Sequence, residues 1–123
     1  DEKMTENNRL GQFISEKRMQ NSMTKQELAG LIGISTAYLS QIESGIRCNP
    51  KEDIIANLIS CLHLTTEGIY KLYDLYAAAN STIAIDVTQY IKLNGIVSKA
   101  IRIAEKCGAK ECDWLEFIEK LNK

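Results

Sequence analysis

The sequence predicts an all-α protein, and three observations carry that prediction. Apolar residues recur at the three- and four-residue spacing of helices along nearly the whole chain of 123 residues. No segment shows the sustained alternation of apolar and polar residues that is typical of strands. Threonine, serine and glycine stand where helices are expected to begin and end, while the chain holds only seven Gly and one Pro.

The composition is that of a soluble globular protein. The chain is 45% hydrophobic and 25% charged, as in ordinary folded domains. No apolar run approaches the ~18 residues needed to cross a bilayer, and no signal peptide opens the chain. We therefore expect a cytoplasmic protein without a membrane partner.

The cysteines predict neither a metal site nor a disulfide framework. They lie at positions 48, 61, 107 and 112 without a C-x2-C pair, and the single histidine, His63, has no partner at ligand spacing. We expect reduced and mostly buried cysteines, no metal and no cofactor. Catalysis is not expected either, because the sequence offers no nucleophile, base and orienter that converge and no phosphate-binding glycine loop.

The second and third helices are the most sharply defined. In MTKQELAGLIG, Thr24 and Glu27 have the spacing of a capping box, and Gly33 ends the helix because glycine adopts a positive φ most easily. Ser35 then caps a third helix. Two helices joined by a few residues around a glycine match the description of a helix-turn-helix.

The flanking helices are predicted from their apolar stripes. A fourth helix begins at NPKED, where Asn49 caps and Pro50 occupies the first turn, and TTEGIYKLYDLYAAAN forms a fifth. The first helix, ENNRLGQFISEKRMQNS, places four apolar residues near one face, namely Leu10, Phe13, Ile14 and Met19.

After these five helices, NSTIAI is the expected linker to a C-terminal segment. Asp86 is expected to cap the next helix. Helices are predicted over 86–107 and 110–121, with a break around position 94 and a firmer one at Gly108.

The third helix has two different faces. Leu39 and Ile42 point to one side, while the other side has no bulk at its start and no acidic residue, so it fits a major groove. The segment that contains this helix is also locally basic. Residues 7–51 hold six basic and three acidic side chains, whereas the net charge of the whole chain is −1. The outward side chains are Thr36, Ala37, Ser40, Gln41 and Ser44.

Three of these side chains have partners on base edges. Gln41 can bond to N6 and N7 of adenine, Ala37 can pack on a thymine methyl, and Thr36 can form either kind of contact. Because no Arg or Lys occupies a groove-facing position of the helix, direct reading of guanine is not expected. The side chains better placed for phosphates are Lys25, Tyr38 and Arg47.

These segments resemble a known family. TKQELAGLIGISTAYLSQIESG, followed by NPKEDIIANLISCLHLT, is similar to the Cro/cI-type helix-turn-helix of XRE-family transcriptional regulators and phage repressors, over residues 9 to about 66. The resemblance implies a five-helix domain over 1–79 that binds double-stranded DNA, followed by a C-terminal helical segment over 80–123. Glu52 departs from a usually apolar position, and His63 departs from a usual glycine.

The resemblance also implies roles for individual residues. Thr36, Ala37 and Gln41 match base-reading positions. Arg18 and Glu43 match a buried ion pair that ties the first helix to the end of the third. Phosphate or positioning contacts are expected from Lys25, Gln26, Ser35, Tyr38, Ser40 and Arg47.

The C-terminal segment carries more apolar surface than a lone helical hairpin can cover. Apolar residues recur at helical spacing over 96–107 and 112–121. Such surplus is usually buried in a partner, here a second copy of the chain, and docking on the chain's own core is the alternative. The layout is similar to the C-terminal hairpin of XRE-type sporulation and biofilm repressors, which oligomerises and accepts antagonist proteins. The expected oligomer contacts are Ile101, Trp114, Leu115, Phe117, Ile118 and Leu121.

The expected function is therefore sequence-specific regulation of transcription in a bacterial cytoplasm, with the protein on the nucleoid when bound to DNA. With only ~4–6 phosphate contacts per subunit, binding by one subunit should be weak, so a homodimeric repressor on a two-fold symmetric operator is expected. An antitoxin that binds both its own operator and a toxin is the alternative. A protein–protein adaptor is disfavoured because the outer face of the third helix lacks acidic residues.

Overall fold

Only helices occur in the part of the chain that the computed structural model describes, as the sequence predicts. That part is residues 5–123, without the side chains of residues 6 and 7. Its eight helices are α1 (Glu6–Gln20), α2 (Lys25–Ile32), α3 (Thr36–Glu43), α4 (Glu52–Cys61), α5 (Thr66–Asn80), α6 (Ile85–Leu93), α7 (Gly95–Cys107) and α8 (Glu111–Leu121). The ends of α6 and α7 confirm the predicted breaks around position 94 and at Gly108.

The chain divides into two compact units, the first ending at Asp86 and the second spanning Val87–Lys123. In the first unit, α1 to α5 each bury apolar side chains in one continuous core, to which the first residue of α6, Ile85, also belongs. The core therefore packs against one side of α3, the side that carries Leu39 and Ile42. The large aliphatic side chains buried most completely are Leu10, Ile14, Leu28, Leu39, Ile42, Ile55, Leu58, Leu62 and Leu72.

Local hydrogen bonds define the ends of α2 and α3. Thr24 Oγ1 accepts from the Glu27 N–H at 3.1 Å, and Glu27 Oε1 accepts from the Thr24 N–H at 3.2 Å, which confirms the predicted capping box. Gly33 ends α2 with φ +76°. Ser35 Oγ accepts from the Tyr38 N–H at 3.0 Å and so caps α3. The turn between the helices is thus fixed by residues close to it in sequence.

The backbones of α1 and α3 come into direct contact at Gly11. A methyl group on Gly11 would lie 2.5 Å from the carbonyl oxygen of Ile42 and 2.7 Å from the carbonyl carbon of Glu43. Both distances are far below van der Waals contact. The crossing of α1 and α3 therefore requires glycine at this position.

The start of α4 differs from the prediction. The sequence favours a cap at Asn49 and a first turn at Pro50, but α4 begins at Glu52 without a side-chain cap. The Tyr76 hydroxyl of α5 donates to the Pro50 carbonyl oxygen at 2.9 Å. This bond holds the loop against α5, so the helix begins beyond it.

Two further expectations are wrong. Met19 is 58% exposed because it lies in the last turn of α1, past the core contacts. None of the four cysteines is fully buried, since the two in the first unit are half-buried and the two in the second are exposed. Asp86, the residue expected to cap α6, lies inside its first turn, because the helix begins one residue earlier, at Ile85.

His63, which follows α4, adopts the left-handed conformation with φ +50°. The resemblance places a glycine here, for which this conformation has no steric cost. The helix therefore ends where the pattern predicts, although the side chain makes that conformation less favourable.

The second unit has no comparable core. Neither α7 nor α8 contains a buried residue. Their apolar side chains, with Tyr90 of α6, line a cleft of about 720 Å³. Within residues 5–123, no helix combines the length and the apolar character needed to cross a membrane.

Candidate nucleic-acid interface

The inner face of α3 is fixed by apolar packing and a buried ion pair. Leu39 and Ile42 are completely buried. Arg18 of α1 donates twice to the Glu43 carboxylate, from Nε to Oε2 at 2.8 Å and from Nη2 to Oε1 at 3.0 Å. Arg18 Nη1 also donates to the Met23 carbonyl at 2.9 Å. With side chains only 11% and 5% exposed, the pair joins α1, the turn before α2 and the end of α3.

The outer face of α3 is small and accessible. Thr36 and Ala37 are exposed at its start, and Ser40 and Gln41 are half-exposed one turn later. None of these side chains belongs to the apolar core. A broad groove can therefore approach the helix closely along this side.

A basic side chain reaches this face from outside the helix. Gly45 has φ +86°, and the chain turns back so that the Arg47 N–H donates to the Gln41 carbonyl at 3.1 Å. Arg47 Nε also donates to Gln41 Oε1 at 2.8 Å, and its guanidinium carbon lies 5.6 Å from the centre of the Tyr38 ring. The expectation of a face without Arg or Lys counted only positions on the helix, and the folded chain brings Arg47 beside Gln41.

Side chains of α5 anchor the loop that carries Arg47. Asn80 Nδ2 donates to the Cys48 carbonyl at 2.7 Å, beside the bond from Tyr76 to the Pro50 carbonyl. Burial raises the pKa of Tyr76 above its usual value of 10.0, and the nearby Glu52 carboxylate raises it further. The Tyr76 phenol therefore stays protonated and remains a donor at neutral pH.

The first turn of α2 lies at the surface. Lys25 and Gln26 are exposed there. The first N–H groups of a helix have no partner within it, and in α2 the capping box uses that of Glu27. Ser35, which caps α3, is exposed as well, while Tyr38 and Ser40 are half-buried. The residues predicted to contact phosphates thus come from α2, α3 and the loop after α3.

The six residues predicted for oligomer contacts are all on the surface of the second unit. Their exposed fractions run from 43% for Trp114 to 66% for Leu121. Ile101, Trp114 and Phe117 meet in the cleft between the helices. The unit therefore presents an open apolar surface. The other three residues of the set are Leu115, Ile118 and Leu121.

The geometry of α2, the glycine turn and α3 defines a helix-turn-helix domain, in which the second helix presents an exposed face. Residues 14–69 match the sequence model of the helix-turn-helix family. This part of the chain, a little under half of it, is therefore similar to helix-turn-helix domains of the XRE type.

Two curated relatives are similar to part of this chain. Both are described as uncharacterized HTH-type transcriptional regulators, from two strains of Mycobacterium tuberculosis, and both are 33% identical to this chain over 60 residues. The matched region is 49% of this chain but only 42% of each relative. The similarity therefore concerns about half of this chain and less than half of each relative.

Sequence reasoning missed three features that position the site. It did not identify the close approach at Gly11, the anchoring amide of Asn80 or the return of Arg47 onto Gln41. Only the third had a local signal, because Gly45 directly after α3 permits the turn that brings Arg47 back.

Proposed function

We propose that the chain is a sequence-specific DNA-binding regulator of transcription, a repressor that binds a two-fold symmetric operator as a dimer. The observation that carries the proposal is the two-faced α3, with one side held by the core and an ion pair and the other small and open. The major groove of B-DNA, ~12 Å wide, admits such a helix. The family match and the descriptions of the mycobacterial relatives support the same class of protein.

Base contacts are proposed for Thr36, Ala37 and Gln41, which lie on the open side of α3. Phosphate contacts are proposed for the exposed Lys25 and Arg47 and for the surface N–H groups at the start of α2. Arg18 is excluded from this role because its guanidinium is committed to Glu43. Further positioning contacts are proposed for Gln26, Ser35, Tyr38 and Ser40.

Dimerisation is proposed for the C-terminal segment predicted over 80–123, of which Val87–Lys123 form the second unit, and DNA binding for the domain predicted over 1–79. The support is the open apolar surface of α7 and α8, since such surfaces mark contact sites on soluble proteins. Two subunits would place their α3 helices in half-sites ~34 Å apart, one turn of DNA. An antagonist protein or a toxin would compete for the same surface. We propose a bacterial cytoplasmic location, on the nucleoid when DNA is bound.

Selection of bound duplexes from a random DNA pool tests the DNA-binding proposal. The expected result for the wild type is an enriched two-fold symmetric site, and Gln41→Ala should relax one base preference in each half-site. Gln89→Ala is the control, because Gln89 is an exposed glutamine of the second unit. Absence of any enriched sequence with the wild type would overturn the proposal.

Sedimentation at several protein concentrations tests the dimer. We expect Trp114→Ala to shift the protein toward monomer, because the substitution removes the largest side chain of the cleft. Leu31→Ala, at a 62% exposed apolar side chain of the first unit, should sediment like the wild type. A wild type that is monomeric at all concentrations would overturn the homodimer. Co-purification from the native cell would then identify an antagonist or a toxin on this surface.

A further inference from the structure

Arg47 and Gln41 form one bonded unit at the end of α3. They are joined twice, by the backbone bond of 3.1 Å and by the side-chain bond of 2.8 Å from Nε to Oε1. The ring of Tyr38 lies under the guanidinium, and Asn80 holds the next carbonyl along the chain, that of Cys48. The position of the guanidinium is therefore set before any ligand arrives.

The chemistry of this bond determines what the pair presents. Arginine Nε carries a proton and no lone pair, so the atom of Gln41 that faces it must be the carboxamide oxygen. The Gln41 NH2 group is then the part of the carboxamide left for a ligand, beside the two terminal NH2 groups of Arg47. Arg47 is exposed and Gln41 half-exposed, so a base edge can reach both. The exposed edge of the pair consists mainly of donors.

The two purines differ at the position such an edge would meet. Guanine offers two acceptors in the major groove, N7 and O6, whereas adenine offers the N7 acceptor and the N6 donor. A glutamine that reads adenine uses its oxygen to accept from N6. Here that oxygen already accepts from Arg47, and N6 would approach the cationic N–H groups of the guanidinium.

We propose that Arg47 and Gln41 act together to select guanine over adenine at the base that faces the end of α3, an inference that rests on the proposed DNA-binding function. Gln41 alone would favour adenine. Arg47 reverses that preference by using one of the two lone pairs of the carboxamide oxygen, by placing cationic N–H groups beside the other and by adding its own donors. Arg47 is thus a specificity-determining residue in addition to a source of positive charge.

A matched pair of variants separates this role from simple charge attraction. Arg47→Met and Lys25→Met each remove one positive charge and keep an unbranched stem. Both residues are exposed, and thermal unfolding checks that the variants fold. Bound duplexes are selected from the random pool with each variant and with the wild type. Affinities are then measured for duplexes that differ only by guanine or adenine at the base that faces the end of α3.

The wild type is expected to prefer guanine by roughly tenfold or more, the usual discrimination of a good bidentate contact. Arg47→Met is expected to prefer adenine, because the carboxamide of Gln41 is released. Lys25→Met is expected to bind every duplex more weakly by a similar factor, with the guanine preference intact.

Three results would contradict this inference, and they have different consequences. A wild type that prefers adenine would overturn it. An Arg47→Met variant that loses affinity equally for all duplexes would also overturn it and would leave Arg47 as a phosphate contact only. Neither of these results would contradict the proposed DNA binding. A wild type that enriches no sequence would overturn both the DNA-binding function and the selection of guanine.

Discussion

The two units of the chain differ in where their apolar side chains lie. In the first unit, aliphatic side chains such as Leu10, Leu39 and Leu58 are completely buried, whereas the apolar side chains of α7 and α8 stay on the surface. Amphipathic helices occur in both. Five helices can enclose a core, but α7 and α8, with the greater part of α6, leave one side of their apolar stripes open. The first unit therefore carries its own stability, while the stability of the second depends on what covers its cleft.

The largest expected effect is the loss of the buried carboxylate in the first unit. Glu43→Ala should lower the free energy of unfolding by about 3 kcal/mol, because it leaves the Arg18 guanidinium buried without its partner. Urea denaturation measures the change. Glu119→Ala, at an exposed position of α8, is the control and should change stability by less than about 0.5 kcal/mol. Equal effects of the two variants would contradict the contrast between the units.

A pair of glycine substitutions tests how tightly the first unit is packed. Gly11→Ala should destabilise by about 1–3 kcal/mol, because the new methyl group meets the backbone of α3. Gly30→Ala, where nothing lies within 4 Å of the added methyl group, should instead stabilise α2 by about 0.5–1 kcal/mol. Thermal unfolding of both variants gives the sign of each change in stability. A stable Gly11→Ala protein would mean that α1 and α3 can separate without cost.

Dilution of the protein tests whether a second copy covers the cleft of the second unit. Trp114 is the single tryptophan of the chain, so its fluorescence reports on the second unit alone. If two copies cover the cleft, the apparent stability of this unit should fall by about 1.4 kcal/mol per tenfold dilution. Hydrogen exchange of α3 should show no such dependence. Tryptophan emission that is independent of concentration would indicate that no second copy covers the cleft.

The smallest expected effect concerns the anchor of the loop after α3. Tyr76→Phe should cost about 1 kcal/mol, because the Pro50 carbonyl loses its donor. Tyr70→Phe, at a 56% exposed ring, should cost nothing measurable by thermal unfolding.

The same substitution has a pH dependence with a defined sign. Because the pKa of Tyr76 is raised by folding, its contribution to stability is complete below pH 10.0 and is lost as the pH rises through the folded pKa. The Tyr76→Phe variant should therefore lose stability less steeply above pH 10 than the wild type. Parallel alkaline unfolding curves would contradict the protonated phenol as the stabilising form.

Features set by neighbouring residues could be predicted from the sequence. The capping box of Thr24 and Glu27, the glycine that ends α2 and the break at Gly108 each depend on contacts within a few positions. The all-helical class followed from apolar spacing, which is also local. The α3 helix that carries the proposed interface was found in the same way, and the roles of its side chains remain predictions.

Features set by distant segments could not be predicted. The helical pattern of α1 gives no sign that Gly11 touches α3, and the sequence around Pro50 does not reveal that Tyr76 holds its carbonyl. The expectation that the cysteines are mostly buried is wrong for a related reason. Burial depends on how many helices enclose a side chain, and the second unit has too few to enclose Cys107 or Cys112.

The two faces of α3 also have an evolutionary consequence. The side chains that hold the helix, such as Leu39 and Glu43, are distinct from Thr36 and Ala37, which lie open to solvent. Exchanges at open positions change folding free energies by only about 0.5 kcal/mol. After gene duplication, one copy could therefore diverge in what it recognises through a few codon changes, and every intermediate along that route would still fold.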